Sequence, residues 1–245
     1  MSELFKSKIG LGTVKFGRNI GVKYPNNFEL PDKKKLRKIL DFCKENNINI
    51  LDTAPAYGTS EEVIGCLTEN ERSDWVIGTK VGEEFVNGQS YFDFTSKSVD
   101  NSLRRSFERL RTNYIDYVQI HSNGNDLMAL DSGATEVLFN LKRLGKIGAV
   151  GASLKTIEGI EKAATIPLDL CMVEINIENQ QFVQAAQNLI EQGISVLIKK
   201  SLLSGHLDVR KALNWLHNQN CYSAVIIGSL NCDHLRESKG ILDES

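Results

Sequence analysis

Eight short runs of β-branched and aliphatic residues alternate with helical patterns along the 245-residue chain. Several of these runs are continuously apolar, as in strands of a parallel sheet whose two faces are both covered. Strands that alternate with helices indicate an α/β fold with parallel strands, and eight such units favour a closed barrel over an open sheet. The sequence therefore predicts a single (β/α)₈ TIM barrel domain over residues 1–245, with strands at 8–14, 48–53, 75–80, 115–121, 147–153, 170–176, 194–200 and 224–229.

The segments between these strands carry apolar stripes at helical spacing, which predict helices at 32–46, 60–68, 96–111, 134–144, 156–164, 182–192 and 208–218. The last unit, after Ser229, is predicted to be short, and 15–31, 82–95 and 122–133 are predicted to be loops. The early segment GLGT lacks the third glycine of a dinucleotide-binding fingerprint, and no acidic residue follows at the right distance. An open Rossmann sheet is therefore disfavoured.

Charge and composition exclude several classes of partner. The chain has 29 basic and 31 acidic residues, so it shows no basic footprint for nucleic acid or anionic lipid. No apolar stretch approaches the roughly 20 residues that span a bilayer, and the start of the chain lacks the apolar core of a signal peptide. The five cysteines form no C-x-x-C spacing, so neither a metal site nor a disulfide framework is expected. We expect a cytoplasmic protein without nucleic-acid or membrane partners, and the sequence leaves its oligomeric state open.

Polar residues follow the predicted strands at their carboxyl ends, where (β/α)₈ barrels build their functional sites. Sequence positions that lie far apart would thereby converge at one barrel mouth. The residues at these strand ends are Asp52, Tyr57, Lys80, His121, Ser153, Asn176, Lys199 and Ser229.

Four of these residues together suit the reduction of a carbonyl group by hydride. A free tyrosine hydroxyl, with a pKa of about 10, is a poor acid at neutral pH, but a neighbouring ammonium such as Lys80 stabilises the phenolate of Tyr57. Asp52 could hold that ammonium in place, because a buried lysine needs a counter-anion. A neutral His121 could donate a hydrogen bond to the carbonyl oxygen.

The chain resembles the aldo–keto reductases through LGTVKFG, LDTAPAYGTSEEVIG, GTK, IDYVQIHS, VGAS, VEIN and SLLSGHL followed by IIGSLNCDHL. The resemblance implies a (β/α)₈ barrel and an NAD(P)H-dependent reduction of a small aldehyde, ketone or keto-sugar. It also implies an Asp52, Tyr57, Lys80 and His121 tetrad with Tyr57 as the proton donor. The opening segments are similar to a bacterial branch found among surface-glycan biosynthesis genes.

The resemblance further implies NADP(H) in preference to NAD(H). The implied coenzyme-binding residues are Gly12, Thr13, Asp52, Ser153, Asn176, Lys199, Leu202, Ser204, Gly205, Gly228, Ser229 and Asn231. The chain departs from the family pattern where family members hold the nicotinamide carboxamide, because Leu154 and Met172 replace an Asn and a Gln. Lys199 stands where an aromatic ring commonly stacks on the nicotinamide.

These departures leave two alternatives open. The chain could be a coenzyme-binding barrel, acting as a sensor or subunit, that turns over slowly or not at all. It could also be a Schiff-base aldolase that uses the strand-end amine of Lys80 or Lys199. For Lys199 itself, a structural interpretation is a stem lining the barrel rim with its ammonium in water.

Overall fold

The computed structural model describes residues 5–244 and contains a closed barrel of eight parallel strands, as the sequence predicts. Two further strands form a separate antiparallel hairpin. The strands are β1 (Ile9–Gly12), β2 (Ile50–Asp52), β3 (Val76–Val81), β4 (Glu83–Val86), β5 (Gln89–Phe92), β6 (Ile115–His121), β7 (Ile147–Ser153), β8 (Leu170–Glu174), β9 (Ser195–Lys199) and β10 (Ala224–Ile227). Around the barrel the order is β1, β10, β9, β8, β7, β6, β3, β2, and β2 closes on β1.

Helices follow the barrel strands and pack their apolar stripes on the outside of the sheet. Six of the helices within the described residues begin at a residue whose side chain accepts from a backbone N–H of the first turn, namely Asp32, Thr95, Ser132, Thr156, Asp208 and Asn231. The helices are α1 (Val14–Gly17), α2 (Lys33–Glu45), α3 (Ser60–Thr68), α4 (Ser96–Arg109), α5 (Asp126–Leu130), α6 (Gly133–Arg143), α7 (Ile157–Ala163), α8 (Val183–Glu191), α9 (Val209–His217) and α10 (Cys232–Asp243). All seven predicted helices are present.

Three parts of the sequence-based prediction are wrong. The segment 82–95 is not a simple loop, because β4 and β5 pair within it around a turn in which Asn87 and Gly88 both have positive φ, at 52° and 81°. Asn-Gly is the residue pair that such a tight hairpin turn requires. The unit after Ser229 is not short, since α10 has 12 residues. The predicted loop at 122–133 also contains the short helix α5.

The inside of the barrel is filled by a layer of side chains below the mouth, and Tyr117 is its largest fully buried member. Gly78 makes room for the Tyr117 ring, because a Cβ at residue 78 would lie 1.9 Å from Tyr117 Cζ. Since side chains alternate along a strand, Gln119 and His121 share the inward face of β6 with Tyr117. The packed interior thus continues upward into polar side chains at the carboxyl ends of the strands.

Candidate active site

A buried ion pair occupies the barrel mouth where β2 and β3 end. Lys80 Nζ lies 2.5 Å from Asp52 Oδ2 and also donates to the carbonyl oxygen of Thr53 at 2.8 Å. Both charged side chains are almost fully buried. Asp52 and Gly78 are partners in the β2–β3 register, so Lys80, two residues further along, points into the barrel beside Asp52.

The second oxygen of Asp52 is also satisfied. Tyr117 Oη and Gln119 Nε2 each donate to Asp52 Oδ1 at 3.2 Å. A buried ion pair is tolerable only when additional hydrogen bonds complete it, and these two donors fulfil that condition. Burial lowers the pKa of Lys80, but the charges of Asp52 and Tyr57 and the hydrogen bonds with them together outweigh burial, so this pKa is raised and the ammonium form is held.

Tyr57 stands next to this pair in a 3₁₀ turn, Pro55–Tyr57, that directly follows β2. Lys80 Nζ lies 5.0 Å from the centre of the Tyr57 ring. Burial raises the pKa of Tyr57, and the opposing charge of Lys80 does not offset it. The sequence argument anticipated only the effect of Lys80, so the Tyr57 hydroxyl keeps its proton more firmly than that argument implied.

His121 ends β6 and packs edge-on against Tyr57, with ring centres 6.4 Å apart. Its Nδ1 lies 2.7 Å from Oε2 of Glu83, the first residue of the hairpin. Burial lowers the pKa of His121, while the Glu83 carboxylate opposes that effect. The structure therefore brings the predicted residues Asp52, Tyr57, Lys80 and His121 to one place.

A second polar contact lies beside His121 on the other side of the mouth. Ser153 is the register partner of His121 across β6 and β7. Lys199 Nζ reaches over β8 and donates to Ser153 Oγ at 2.7 Å, and it lies 3.5 Å from the carbonyl oxygen of Leu154. Burial and the neighbouring Lys155 lower the pKa of Lys199 to about 7. Instead of extending into water, the lysine head is turned toward the mouth.

The predicted coenzyme residues at the ends of β1 and β10 lie side by side at the mouth. Gly12 and Gly228 face each other, and a Cβ at residue 12 would lie 3.6 Å from Gly228 N. Thr13 ties β1 to β2, because its hydroxyl donates to the carbonyl oxygen of Asp52 at 2.9 Å. The Ser60 hydroxyl at the start of α3 hydrogen-bonds to Thr13 and so connects α3 to the end of β1.

Asn176 holds loop backbone together. Its Nδ2 donates to the carbonyl oxygen of Lys200 at 3.1 Å, and its Oδ1 accepts from the backbone N–H groups of Glu178 and Asn179. Ser204 and Gly205 lie in the 3₁₀ turn Leu203–Gly205 after β9, and Leu202 directly precedes it; φ is positive at 200, 203, 204 and 205. Ser229 accepts from Asn231 N, and Asn231 caps α10. These residues follow β8, β9 and β10 and therefore lie at the same end of the barrel as Asp52 and Lys80. Their contacts with a coenzyme stay predictions.

The loop after α1 covers part of the mouth. Tyr24 Oη lies 2.7 Å from where a Cβ of Gly228 would be, and Pro25 lies against Gly205. Lys15 Nζ sits 3.7 Å from the centre of the Tyr24 ring and holds it there by a cation–π contact. Arg18, from the same loop, donates to the carbonyl oxygen of Ala56 and stacks on Phe85 of the hairpin.

Three residues of the site were missed by sequence reasoning. Tyr117 and Gln119 could have been found, because they recur at period two with His121 along β6. Glu83 had no comparable signal, since its position depends on how the hairpin folds back over the mouth. Within residues 5–244 no group of His, Cys, Asp or Glu side chains is arranged to hold a metal ion. In the same residues, no helix is both long and apolar enough to cross a bilayer.

Comparison with known proteins agrees with this geometry. The sequence profile of the Aldo/keto reductase family matches residues 8–212. Two curated proteins from Bacillus subtilis are similar. The first, the uncharacterized oxidoreductase YqkF, is 32% identical over 156 residues, which are 62% of this chain and 46% of that protein. The second, the aldo-keto reductase YhdN, is 31% identical over 207 residues, which are 82% of this chain and 60% of that protein. The chain thus spans about half to three-fifths of the length of these relatives.

Solved structures match more completely. A putative aldo-keto reductase from Pseudomonas aeruginosa has 40% sequence identity and a TM-score of 0.88, covering 96% of this chain and 89% of that one. The holo form of an aldo-keto reductase from Bacillus halodurans has a TM-score of 0.82 at 22% identity, covering 97% of this chain and 87% of the other. At that identity the second match supports the fold alone.

Proposed function

Since the chain belongs to the aldo/keto reductase family, we propose that it is an NAD(P)H-dependent reductase of a small aldehyde, ketone or keto-sugar. The observation that carries this proposal is the buried Asp52–Lys80 pair, with Tyr57 and His121 beside it at one barrel mouth. A proton donor, the cation that stabilises its conjugate base and an imidazole are thereby assembled for one carbonyl oxygen.

The residues present fit a nicotinamide coenzyme. Ser229 and Asn231 lie at the start of the 12-residue helix α10, where backbone N–H groups favour an anion such as a phosphate. Gly12 and Gly228 add no side chains of their own at the ends of β1 and β10, where the Tyr24 hydroxyl lies over Gly228. At the nicotinamide end, the Ser153 hydroxyl and the Lys199 ammonium take the place of the amide side chains that Leu154 and Met172 lack. The coenzyme, when bound, would supply the hydride.

The chain's own residues would handle the proton and the developing charge. Tyr57 would donate its proton to the alkoxide oxygen as the carbonyl carbon is reduced. Lys80 would stabilise the resulting phenolate, and Asp52 keeps Lys80 positioned and charged. The raised pKa of Tyr57 means that the donor is protonated throughout the neutral range.

We further propose NADP(H) as the preferred coenzyme, which rests on the family resemblance. The side chains of Ser229 and Asn231 are neutral and do not select between NADPH and NADH by charge, so the preference is settled by measuring both affinities. Titration with NADPH and separately with NADH, followed by the fluorescence of Trp75 and Trp215, would measure both dissociation constants. A panel of aldehydes, ketones and keto-sugars would then be tested for turnover. Binding of a coenzyme without turnover on any substrate would support the alternative of a sensor or subunit.

One observation favours a second candidate function. Because the pKa of Lys199 is lowered to about 7, a substantial fraction of its amine is neutral, and thus nucleophilic, at physiological pH. Lys80 is unsuited to this role, because its pKa is raised by Asp52. Borohydride trapping of a substrate adduct that disappears in Lys199→Met would favour a Schiff-base aldolase. Coenzyme binding and oxidation of NADPH by a carbonyl would favour the reductase.

A further inference from the structure

We propose that Glu83 is a positioning residue that keeps a proton on Nδ1 of His121, so that Nε2 donates to a carbonyl oxygen only when the imidazole is doubly protonated. This inference rests on the proposed function of the same site. It adds a residue to the catalytic arrangement and assigns to His121 a tautomer different from the one that a carbonyl-binding neutral histidine needs.

The backbone fixes Glu83 above the mouth. Gly82, with φ of 98°, turns the chain sharply at the end of β3, and a Cβ there would lie 2.3 Å from the ring of Phe94. Only glycine fits both requirements. The chain then enters the β4–β5 hairpin, where the Ser90 hydroxyl donates to Glu83 Oε1 at 2.6 Å. One carboxylate oxygen is thus tied to the hairpin, and the other is directed at His121.

The distance between Glu83 Oε2 and His121 Nδ1 decides which nitrogen carries the proton. At 2.7 Å, an unprotonated Nδ1 would place the electron-rich edge of the imidazole beside a carboxylate, which is repulsive. The side chains are only 12% and 16% exposed, so water does not screen this contact effectively. A proton on Nδ1 places positive charge beside the carboxylate and turns the repulsion into attraction, although the carboxylate lies too far off the N–H direction to form a hydrogen bond.

A neutral imidazole with its proton on Nδ1 has only a lone pair on Nε2. Such a nitrogen can accept from an alcohol hydroxyl, but it cannot donate to a carbonyl oxygen. When the ring takes up a second proton, both nitrogens donate, and the imidazolium then polarises the carbonyl. The carbonyl form of the substrate is therefore bound by protonated His121, and the alcohol form by neutral His121.

Among the charged groups around His121, Glu83 is the one that favours uptake of a second proton by the ring. Glu83 approaches from β4, Lys80 from β3 and Lys199 from β9, and Tyr57 packs on the ring from the turn after β2. The two ammonium groups disfavour a further positive charge, as does burial of the ring. Among these neighbours only the Glu83 carboxylate stabilises the imidazolium.

Long-range proton–nitrogen NMR of the ¹⁵N-histidine-labelled protein would test the tautomer without relying on activity. The chain has four histidines, and loss of one signal set in His121→Asn assigns the residue. We expect a protonated Nδ1 and an unprotonated Nε2 for neutral His121, and reversal of this pattern in Glu83→Ala. An unprotonated Nδ1 in the parent protein would overturn the proposal, whether or not any substrate is turned over.

The pH dependence of reduction gives a second readout. In the parent protein, kcat/KM for carbonyl reduction should fall about tenfold per pH unit above the pKa of His121. Glu83→Gln keeps an oxygen beside Nδ1 but removes the charge, so the midpoint of this fall should move to lower pH. Glu83→Ala frees the tautomer, and the fall should disappear, because a neutral ring can then donate from Nε2.

Glu84→Gln is the matched control, because Glu84 is on the same hairpin but hydrogen-bonds to Arg105 and Ser102. Its pH profile should match that of the parent protein. Superimposable profiles for Glu83→Ala and the parent protein would overturn the proposal. Failure of every carbonyl to react in the parent protein would instead count against the proposed function, and the NMR result would still decide the role of Glu83.

Discussion

Lys199 and Ser153 join β9 to β7 across the top of β8, through a hydrogen bond of 2.7 Å from Nζ to Oγ. Ser153 is also the register partner of His121, so this contact places an ammonium group at the edge of the proposed catalytic set. Within residues 5–244, Lys199 has a serine hydroxyl and a backbone carbonyl as hydrogen-bond partners and forms no ion pair. Its positive charge is thus available to an incoming ligand.

Replacing Lys199 by Met should change the affinity for coenzyme. If Lys199 and Ser153 hold the nicotinamide end, Lys199→Met should weaken the binding of NADPH or NADH by about tenfold, which corresponds to one charge-assisted hydrogen bond of roughly 1.4 kcal/mol. Calorimetric titration would measure this. Identical dissociation constants for parent and variant would exclude Lys199 from the coenzyme site.

The stability of the protein should also depend on pH through Lys199. Its pKa is about 7 in the folded state and about 10.5 in the unfolded chain, so the unfolded state binds more protons between these values. The free energy of unfolding should therefore rise as the pH increases from 7 to 10.5. Because Lys199 is partly exposed, we expect a contribution of only about 1 kcal/mol.

Urea unfolding at several pH values would measure this contribution. Lys199→Met should remove it, whereas Lys97→Met, at an exposed position of α4, should leave the pH dependence unchanged. An equal rise with pH in the parent and Lys199→Met proteins would contradict the prediction.

Breaking the buried ion pair should destabilise the fold. Asp52→Ala leaves the Lys80 ammonium buried without its counter-anion, and removal of one partner of such a pair costs about 3–5 kcal/mol. Asp100→Ala is a suitable control, because the Asp100–Arg104 pair on α4 is well exposed and should contribute less than about 0.5 kcal/mol. Equal losses of unfolding free energy for the two variants would mean that the Asp52–Lys80 pair is not structurally important.

Tyr57→Phe should abolish most of the reduction while leaving coenzyme affinity nearly unchanged. Loss of a positioned proton donor typically costs about 10²- to 10⁴-fold in rate, and the phenyl ring keeps its packing against His121. Steady-state kinetics with the best substrate of the panel would measure the loss. Tyr91→Phe, at an exposed position of the hairpin, serves as the control. A Tyr57→Phe rate within a few-fold of that of the parent protein would rule out Tyr57 as the proton donor.

His121→Ala should mainly impair turnover of the carbonyl substrate, because the ring packs against Tyr57 and lies at the mouth beside Ser153. Loss of one donor to the reacting oxygen should lower kcat by about 10²-fold. Rapid-reaction measurement of coenzyme binding would show whether that step is preserved. An unchanged kcat would remove His121 from the reacting centre.

Much of this architecture could be predicted from the sequence, because the fold follows from local patterns. The eight apolar runs and seven amphipathic helices are local signals, and the rule that functional groups lie at carboxyl ends of strands selects Asp52, Lys80 and His121. The hairpin was missed because its strands are short and contain no buried residue, although Asn87-Gly88 signals its turn.

What could not be predicted depends on contacts between distant residues. Glu83 meets His121 only because Gly82 turns the chain and the hairpin folds back. The direction of the Tyr57 pKa shift depends on whether burial or the Lys80 charge is the larger effect, and this balance requires coordinates. In the same way, the hydrogen bond from Lys199 to Ser153 crosses β8, and no sequence pattern links residue 153 to residue 199.

Gly78→Ala should disturb the floor of the site through Tyr117. The added Cβ would lie 1.9 Å from Tyr117 Cζ, so the ring must move and its hydroxyl would be displaced from Asp52. Overpacking of this kind typically costs about 1–3 kcal/mol, and a weakened Asp52–Lys80 arrangement should lower reductase activity as well. Gly240→Ala in α10 is the matched control, since a Cβ there meets nothing within 4 Å. In a helix interior that change should stabilise the protein by about 0.5–1 kcal/mol. If Gly78→Ala kept the stability and activity of the parent protein, Tyr117 would not be needed to hold Asp52 in place.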